Sequence, residues 1–217
     1  MCTKLATAQP LNAGHPIEEM MDAGDVRYFE WFSPLYDLFM PAADSTRFER
    51  GFELADRPIE RILDVGGGTG RAVRSVGAPE RLVADPAAGM LSQAREHGLE
   101  VVRAEGARLP FDDASVDAVL VVDALHHISD QLGVLTEAYR ILRPGGVIIV
   151  SEFDPSTLRG RLLVAGERLV GFDSTFHTPA TLRDAMARSG FDATITEQGF
   201  GYTVVGRKLE GHHGTAE

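Results

Sequence analysis

The run Ile62-Leu63-Asp64-Val65-Gly66-Gly67-Gly68-Thr69-Gly70 constrains the fold more than any other part of the chain. A short apolar run, long enough for one strand, enters a glycine cluster and then a helical pattern. Glycine has no Cβ and tolerates positive φ, so such a turn lets the backbone approach a ligand closely. Further β-type runs at 61–65, 81–84, 99–103, 118–122 and 147–151 alternate with helical patterns at 69–76, 86–97 and 131–142. Near-continuous apolar strands separated by amphipathic helices predict a parallel sheet covered on both faces. The last third reads differently. Helices are expected at 157–170 and 178–189, the second with Pro179 near its first turn. Runs at 193–197 and 202–207 flank Gln198-Gly199-Phe200-Gly201, which predicts an antiparallel hairpin.

The glycine spacing excludes two common readings of such a turn. A dinucleotide fingerprint needs G-x-G-x-x-G, but counting from Gly66 and Gly68 the third position is Arg71. A phosphate-binding P-loop needs a lysine after the glycines, and none follows. What stands is D-x-G-x-G-x-G, with Asp64 two residues before the first glycine. A carboxylate there attracts an ammonium or hydroxyl group and repels a pyrophosphate.

At this point the sequence resembles the class I S-adenosylmethionine-dependent methyltransferases, over residues of about 58–209. Four further segments match in order. Arg81-Leu82-Val83-Ala84-Asp85 resembles the second strand with its terminal acid, and Ala104-Glu105-Gly106-Ala107-Arg108-Leu109-Pro110-Phe111 resembles a G-D-A-x-x-L-P-F segment. Val116–Val119 through Ala124-Leu125-His126-His127-Ile128 resembles the fourth strand and its loop, and Leu142-Arg143-Pro144-Gly145-Gly146 the turn into the fifth. The resemblance implies a Rossmann-like three-layer α/β sandwich, with a seven-stranded, mostly parallel sheet whose last strand is antiparallel. It is closest to the ubiquinone/menaquinone-biosynthesis branch.

The resemblance also implies site residues. S-adenosylmethionine would be cradled by the backbone of Gly66, Gly67 and Gly68, with Asp64 toward its amino-acid end and Asp85 accepting from the ribose hydroxyls. Pro86 and Met90 follow on the next helix, and Glu105, Gly106 and Ala107 correspond to the adenine side; Glu105 is one methylene longer than the family's aspartate. Structural alternatives stand beside these roles: Asp64 as a cap of its own turn, Asp85 as a helix cap. Asp123, at the end of the fourth strand, and His127 are the candidates for positioning the cofactor or acting as a base on the acceptor, with His177 a further acceptor contact. Adjacent residues point different ways, so only one of His126 and His127 is expected to face the site, and no metal site is expected.

Residues 18–57 form the expected helical cap between a mobile stretch at 1–17 and the domain at 58–209, with a disordered tail at 210–217 that holds His212 and His213. Eight of the sixteen aromatic residues fall between Tyr28 and Phe52. This cap predicts a small apolar or aromatic acceptor, a quinone precursor among them. Tyr36-Asp37 resembles a Y-D dipeptide of the family's cap, which implies a contact of Tyr36 with the cofactor's carboxylate end or with the acceptor. The rings could equally serve only to dock helices on the sheet. The 32 acidic against 21 basic residues, a net charge of −11, argue against a nucleic acid or a membrane surface as target. Lys4 and Lys208 are the only lysines, a bias that suits high salt and equally a GC-rich genome. Cys2 alone excludes an internal disulfide framework. The apolar runs are too short to span a bilayer, and 1–15 lacks a signal-peptide core, so a cytoplasmic enzyme is expected. Two other classes share the sheet: a nicotinamide-dependent oxidoreductase and a non-catalytic S-adenosylmethionine-binding protein.

Overall fold

The computed structural model describes residues 45–170 and 174–209. Tyr36, the aromatic residues at 28–39, most of the expected cap, both termini and the two tail histidines lie outside the described residues.

Seven strands form one sheet: β1 (Arg61–Val65), β2 (Glu80–Asp85), β3 (Glu100–Arg103), β4 (Val116–Val122), β5 (Leu142–Phe153), β6 (Asp192–Glu197) and β7 (Gly201–Arg207). Their order is β3-β2-β1-β4-β5-β7-β6, parallel except that β7 runs antiparallel to both neighbours. The helices are α1 (Ser45–Phe52), α2 (Arg71–Arg74), α3 (Ala88–Glu96), α4 (Gln131–Ile141), α5 (Leu158–Val170) and α6 (Pro179–Arg188).

Strand periodicity separates the core into two layers. Leu63, Leu82, Val119, Ile148 and Val204 face α4 and α6, meeting Leu135, Ala138, Leu182 and Met186. Ile62, Val83, Leu120, Ile149 and Val205 face the other way, against Phe48 of α1, Val73 of α2 and Leu91 of α3. This is the three-layer sandwich. Phe48 is fully buried and Phe52, partly buried, packs on the same cluster, so these two rings dock α1 on the sheet.

Two elements differ most from the sequence expectation. The helix after the glycine turn is one turn long, because Gly70 sits at φ +78° and the helix starts only beyond it. Strand β5 starts at Leu142 rather than 147, since Leu142 already pairs with Val116 across a register shift. The adjoining segment at 109–113 is fixed from α4. Glu137 accepts the Leu109 N–H at 2.9 Å, and Arg140 donates to the carbonyls of Leu109 and Phe111.

At the amino end of the sheet Asp117 ties three segments together. Its Oδ1 meets Arg57 Nε at 2.8 Å and Arg143 Nη1 at 2.9 Å, and its Oδ2 accepts from the Glu60 and Arg61 N–H groups. Burial alone would raise its pKa; Arg143 and the two backbone donors outweigh that and hold it below the usual carboxylate range. Breaking a fully buried pair costs about 3–5 kcal/mol, and the exposure of about a third of each arginine reduces that. Asp117→Ala is therefore expected to destabilise by about 2 kcal/mol at pH 7. The lowered pKa means that this contribution persists above the unfolded carboxylate range and disappears as pH falls through the folded value, so denaturant melts of the two proteins should converge in acid, below the ordinary carboxylate range.

Candidate functional site at the carboxyl ends of the strands

Parallel α/β sheets bind ligands beyond the carboxyl ends of their strands, and the acids of this edge arise from that geometry. Asp64 lies in β1 one residue before its end and is fully buried. The turn folds back over it. A Cβ at Gly67 would lie 2.5 Å from Asp64 Cγ, so residue 67 has room only for a hydrogen. Gly66 and Gly68 take φ of +65° and +56°, where a side chain is strained. Asp64 Oδ2 accepts from the Val73 N–H at 3.2 Å, which realises the capping role open to it from sequence. Its Oδ1 is buried with no hydrogen-bond partner among the described residues. Burial, with Asp85 nearby, pushes the Asp64 pKa up to about 7 against the Val73 N–H and Arg71.

Asp85 ends β2 with 8% of its surface exposed. Its Oδ2 accepts from Gly68 N at 2.9 Å and its Oδ1 from Ala87 N at 2.8 Å, so one carboxylate braces both the glycine turn and the start of α3. An ionised carboxylate has about four acceptor sites, leaving two for further donors. Burial raises its pKa, while these two N–H groups lower it. Pro86 accepts from Arg103 Nε through its carbonyl. Met90 is buried beneath the turn, its sulfur 3.7 Å from the position of a Gly68 Cβ. In the loop after β3, Glu105 is exposed, while Gly106 is buried against Val65, Val134 and Ile128 with no space for a side chain. Ala107 is half-buried beside it.

Asp123 closes β4 in a left-handed conformation, φ +50°, and pairs with Arg71 Nη2 at 3.2 Å. Its pKa is raised by burial and by Glu152, against Arg71 and His126. A 3-10 turn at Leu125–His127 follows. The two histidine rings lie together, centroids 4.1 Å apart, with Phe176 stacked on His126 at 4.4 Å. His126 is buried and its Nδ1 meets Glu152 Oε2 at 2.5 Å, while Glu152 Oε1 accepts the Leu125 and His126 N–H groups. His127 Nδ1 lies 3.4 Å from Ser174 Oγ. His177 Nε2 is 2.7 Å from Gln131 Oε1, and Gln131 in turn holds the carbonyls of Leu125 and Thr175; His177 thus braces the loop.

Sequence reasoning passed over Arg71, Glu152 and Glu167. The signal for Glu152 was a carboxylate directly after the apolar run Val147–Ser151; Arg71 entered only as the residue that breaks the dinucleotide frame.

Comparison with known proteins agrees with this geometry. Residues 63–150 match the Methyltransf_11 family, described as a methyltransferase domain. Over 104 residues the chain is 36% identical to the demethylmenaquinone methyltransferase of Mycobacterium sp. (strain KMS), covering 47% of this chain and 45% of that protein. Over 143 residues it is 37% identical to the demethylmenaquinone methyltransferase of Thermus thermophilus, covering 58% and 64%. The chain thus spans about half to two thirds of the length of these relatives. The solved structure of an S-adenosylmethionine-dependent methyltransferase from Thermotoga maritima is similar in fold, with TM-score 0.65 and 24% identity over 84% of this chain and 99% of that one. Over residues 63–150 the chain matches a methyltransferase domain, and its sheet order and glycine turn have the Rossmann-like form of the similar methyltransferase structure. The relatives matched in sequence are named as demethylmenaquinone and ubiquinone/menaquinone-biosynthesis methyltransferases. Among the described residues no helix is long and apolar enough to cross a membrane.

The raised pKa of Asp64 gives a signed expectation. A cationic amino group favours the ionised carboxylate, so binding of S-adenosylhomocysteine should release a proton near pH 7 and tighten as pH rises from 6 to 8. Titration calorimetry in buffers of different ionisation enthalpy reads that release directly, and Asp64→Asn should abolish it. Without ligand, the raised pKa costs wild-type stability as pH climbs from about 4 to about 7, and the substitution should flatten that slope as well.

Proposed function

We propose that this protein transfers a methyl group from S-adenosylmethionine to a small apolar or aromatic acceptor, of which a quinone precursor is the leading case. The observation that carries the reading is the orphaned, buried Oδ1 of Asp64 beneath a turn with no room for side chains. A buried acceptor without a donor is costly, and a ligand amino group, directly or through one water, satisfies it. The rest of the site fits the same ligand: Gly66, Gly67 and Gly68 leave the backbone bare, and Asp85 keeps acceptor capacity for a pair of hydroxyls. Met90, from below the turn, Pro86, Glu105, Gly106 and Ala107 border the adenine side in this reading.

The bound cofactor supplies an electrophilic methyl on a sulfonium, so the protein's task is alignment and exclusion of water. In this reading a carbon, nitrogen or oxygen nucleophile of the acceptor would take the methyl while the sulfur keeps the electron pair of the broken S–C bond, and Asp123 would receive the proton that the acceptor gives up. Burial and the Glu152 charge make Asp123 a better proton acceptor than an ordinary aspartate. Arg71 fixes its orientation, and His127 stands one short turn beyond it. The names of the matched relatives support a quinone-type acceptor, and the aromatic-rich sequence before residue 53 is consistent with it.

The test is transfer of labelled methyl from S-adenosylmethionine to reduced demethylmenaquinone, beside phenolic and amine acceptors. Label on the quinol supports the full reading; label only on another small molecule supports the transferase and removes the quinone acceptor. Asp123→Asn is expected to lower kcat by about 10²–10⁴-fold with little change in S-adenosylhomocysteine affinity. Asp85→Ala should weaken that affinity by about 10–100-fold, the loss of charge-assisted hydrogen bonds. Unchanged affinity in Asp85→Ala would remove the ribose assignment.

A further inference from the structure

Beside the strand ends, the 3-10 turn after β4 and helix α5 bring together His126, His127 and Glu167. Each offers one ligand atom, and the three atoms lie within 4.8 Å of one another. From this cluster we infer a binding site for a divalent transition-metal ion of the zinc, cobalt or iron class.

Three features carry it. First, Glu152 receives His126 Nδ1 and is itself anchored by the Leu125 and His126 N–H groups. That contact fixes which nitrogen of His126 faces outward: with Nδ1–H donated to Glu152, Nε2 presents its lone pair. A carboxylate holding the second nitrogen of an imidazole is the usual support of a metal-binding histidine. Second, Nε2 faces Glu167 Oε1 at 3.7 Å, beyond hydrogen-bond range. In the neutral ring two lone pairs oppose each other across that gap and repel unless a proton or a metal ion lies between them. In a tetrahedral site with bonds of about 2.0–2.1 Å, ligand atoms are about 3.3 Å apart, so this pair is already near the spacing an ion imposes. Third, Glu167 Oε2 is buried with no hydrogen-bond partner among the described residues, leaving that carboxylate under-satisfied in the absence of a ligand.

The donor set, two imidazoles and one carboxylate, suits zinc-class ions rather than magnesium or calcium, which prefer oxygen. Three protein ligands leave a fourth position for water or a ligand oxygen. Binding would need the third ligand to close in by less than an ångström of side-chain movement per atom, and His127 sits on the same short turn as His126. The site departs from the sequence expectation of no metal, because Glu167 comes from an element 40 residues away in the chain.

The competing account is a protonated His126 between two glutamates, needing no ion. Chelator-treated, tag-free full-length protein separates the two, with His212→Ala and His213→Ala introduced throughout to remove the tail histidines. Titration with Co²⁺, followed by visible d–d absorption and calorimetry, should show one equivalent bound. Glu167→Gln and His127→Ala should weaken that binding at least tenfold. Glu152→Gln should weaken it by about 10–100-fold through the supporting contact alone. Circular dichroism and a cooperative thermal melt of each variant report whether the domain is folded, whatever ligand it binds. The proposal is overturned if folded parent protein takes up no Co²⁺ or Zn²⁺, or if folded Glu167→Gln and His127→Ala bind as the parent does.

Discussion

The close fold of the glycine turn over the Asp64 carboxyl is the constraint on which the site depends. Because a Cβ at Gly67 would meet Asp64 at 2.5 Å, strand, acid and turn are a single unit. The acid cannot move to solvent without displacing the backbone above it. Gly66, Gly68 and Gly70 then take positive φ, which delays the start of α2 until Arg71. That delay places the Arg71 guanidinium against Asp123 at the end of β4. Asp85 completes the unit by receiving Gly68 N from the neighbouring strand. A turn held by carboxylates on both sides is already ordered before any ligand arrives, and a preordered site loses less entropy on binding.

The charge arithmetic of the edge follows from the sheet. Asp64, Asp85, Asp123 and Glu152 all lie at or near the carboxyl ends of their strands, in β1, β2, β4 and β5 respectively or just beyond. Burial raises the pKa of the first three, and each of Asp64 and Asp123 is raised further by a neighbouring carboxylate. Such crowding of acids destabilises the empty site and favours a cationic occupant. The overall charge of −11 therefore has a local counterpart where the cofactor's positive groups would sit. The same crowding extends to Glu152 and Glu167 around His126, the setting from which the metal site is inferred.

Much of this was legible in the sequence, for a physical reason. Strand runs such as Arg61–Val65 and the glycines after it are local signals, and Asp64 and Asp85 sit where strand periodicity ends, so their place at the sheet edge needs no tertiary knowledge. What local reasoning could not supply was contact between distant segments. Glu152 and His126 come from different elements, and the 3-10 turn that sets the His126 and His127 rings side by side has no local signal in the sequence. Strand β5 was read short because Gly145-Gly146 looks like a turn, whereas pairing of Leu142 with Val116 carries the strand through it. Phe48 and Phe52 belong to the sheet, which sequence left open between docking and substrate contact.

The central claim is that the orphaned acceptor of Asp64 and the spare acceptor capacity of Asp85 together hold one ligand, S-adenosylmethionine. The most direct measurement is a crystal structure of the protein with S-adenosylhomocysteine. The account predicts the ligand amino group on Asp64 Oδ1, directly or through a single ordered water, and both ribose hydroxyls on Asp85. An amino group placed away from Asp64, with its Oδ1 still unpaired and the ribose on other residues, would contradict it.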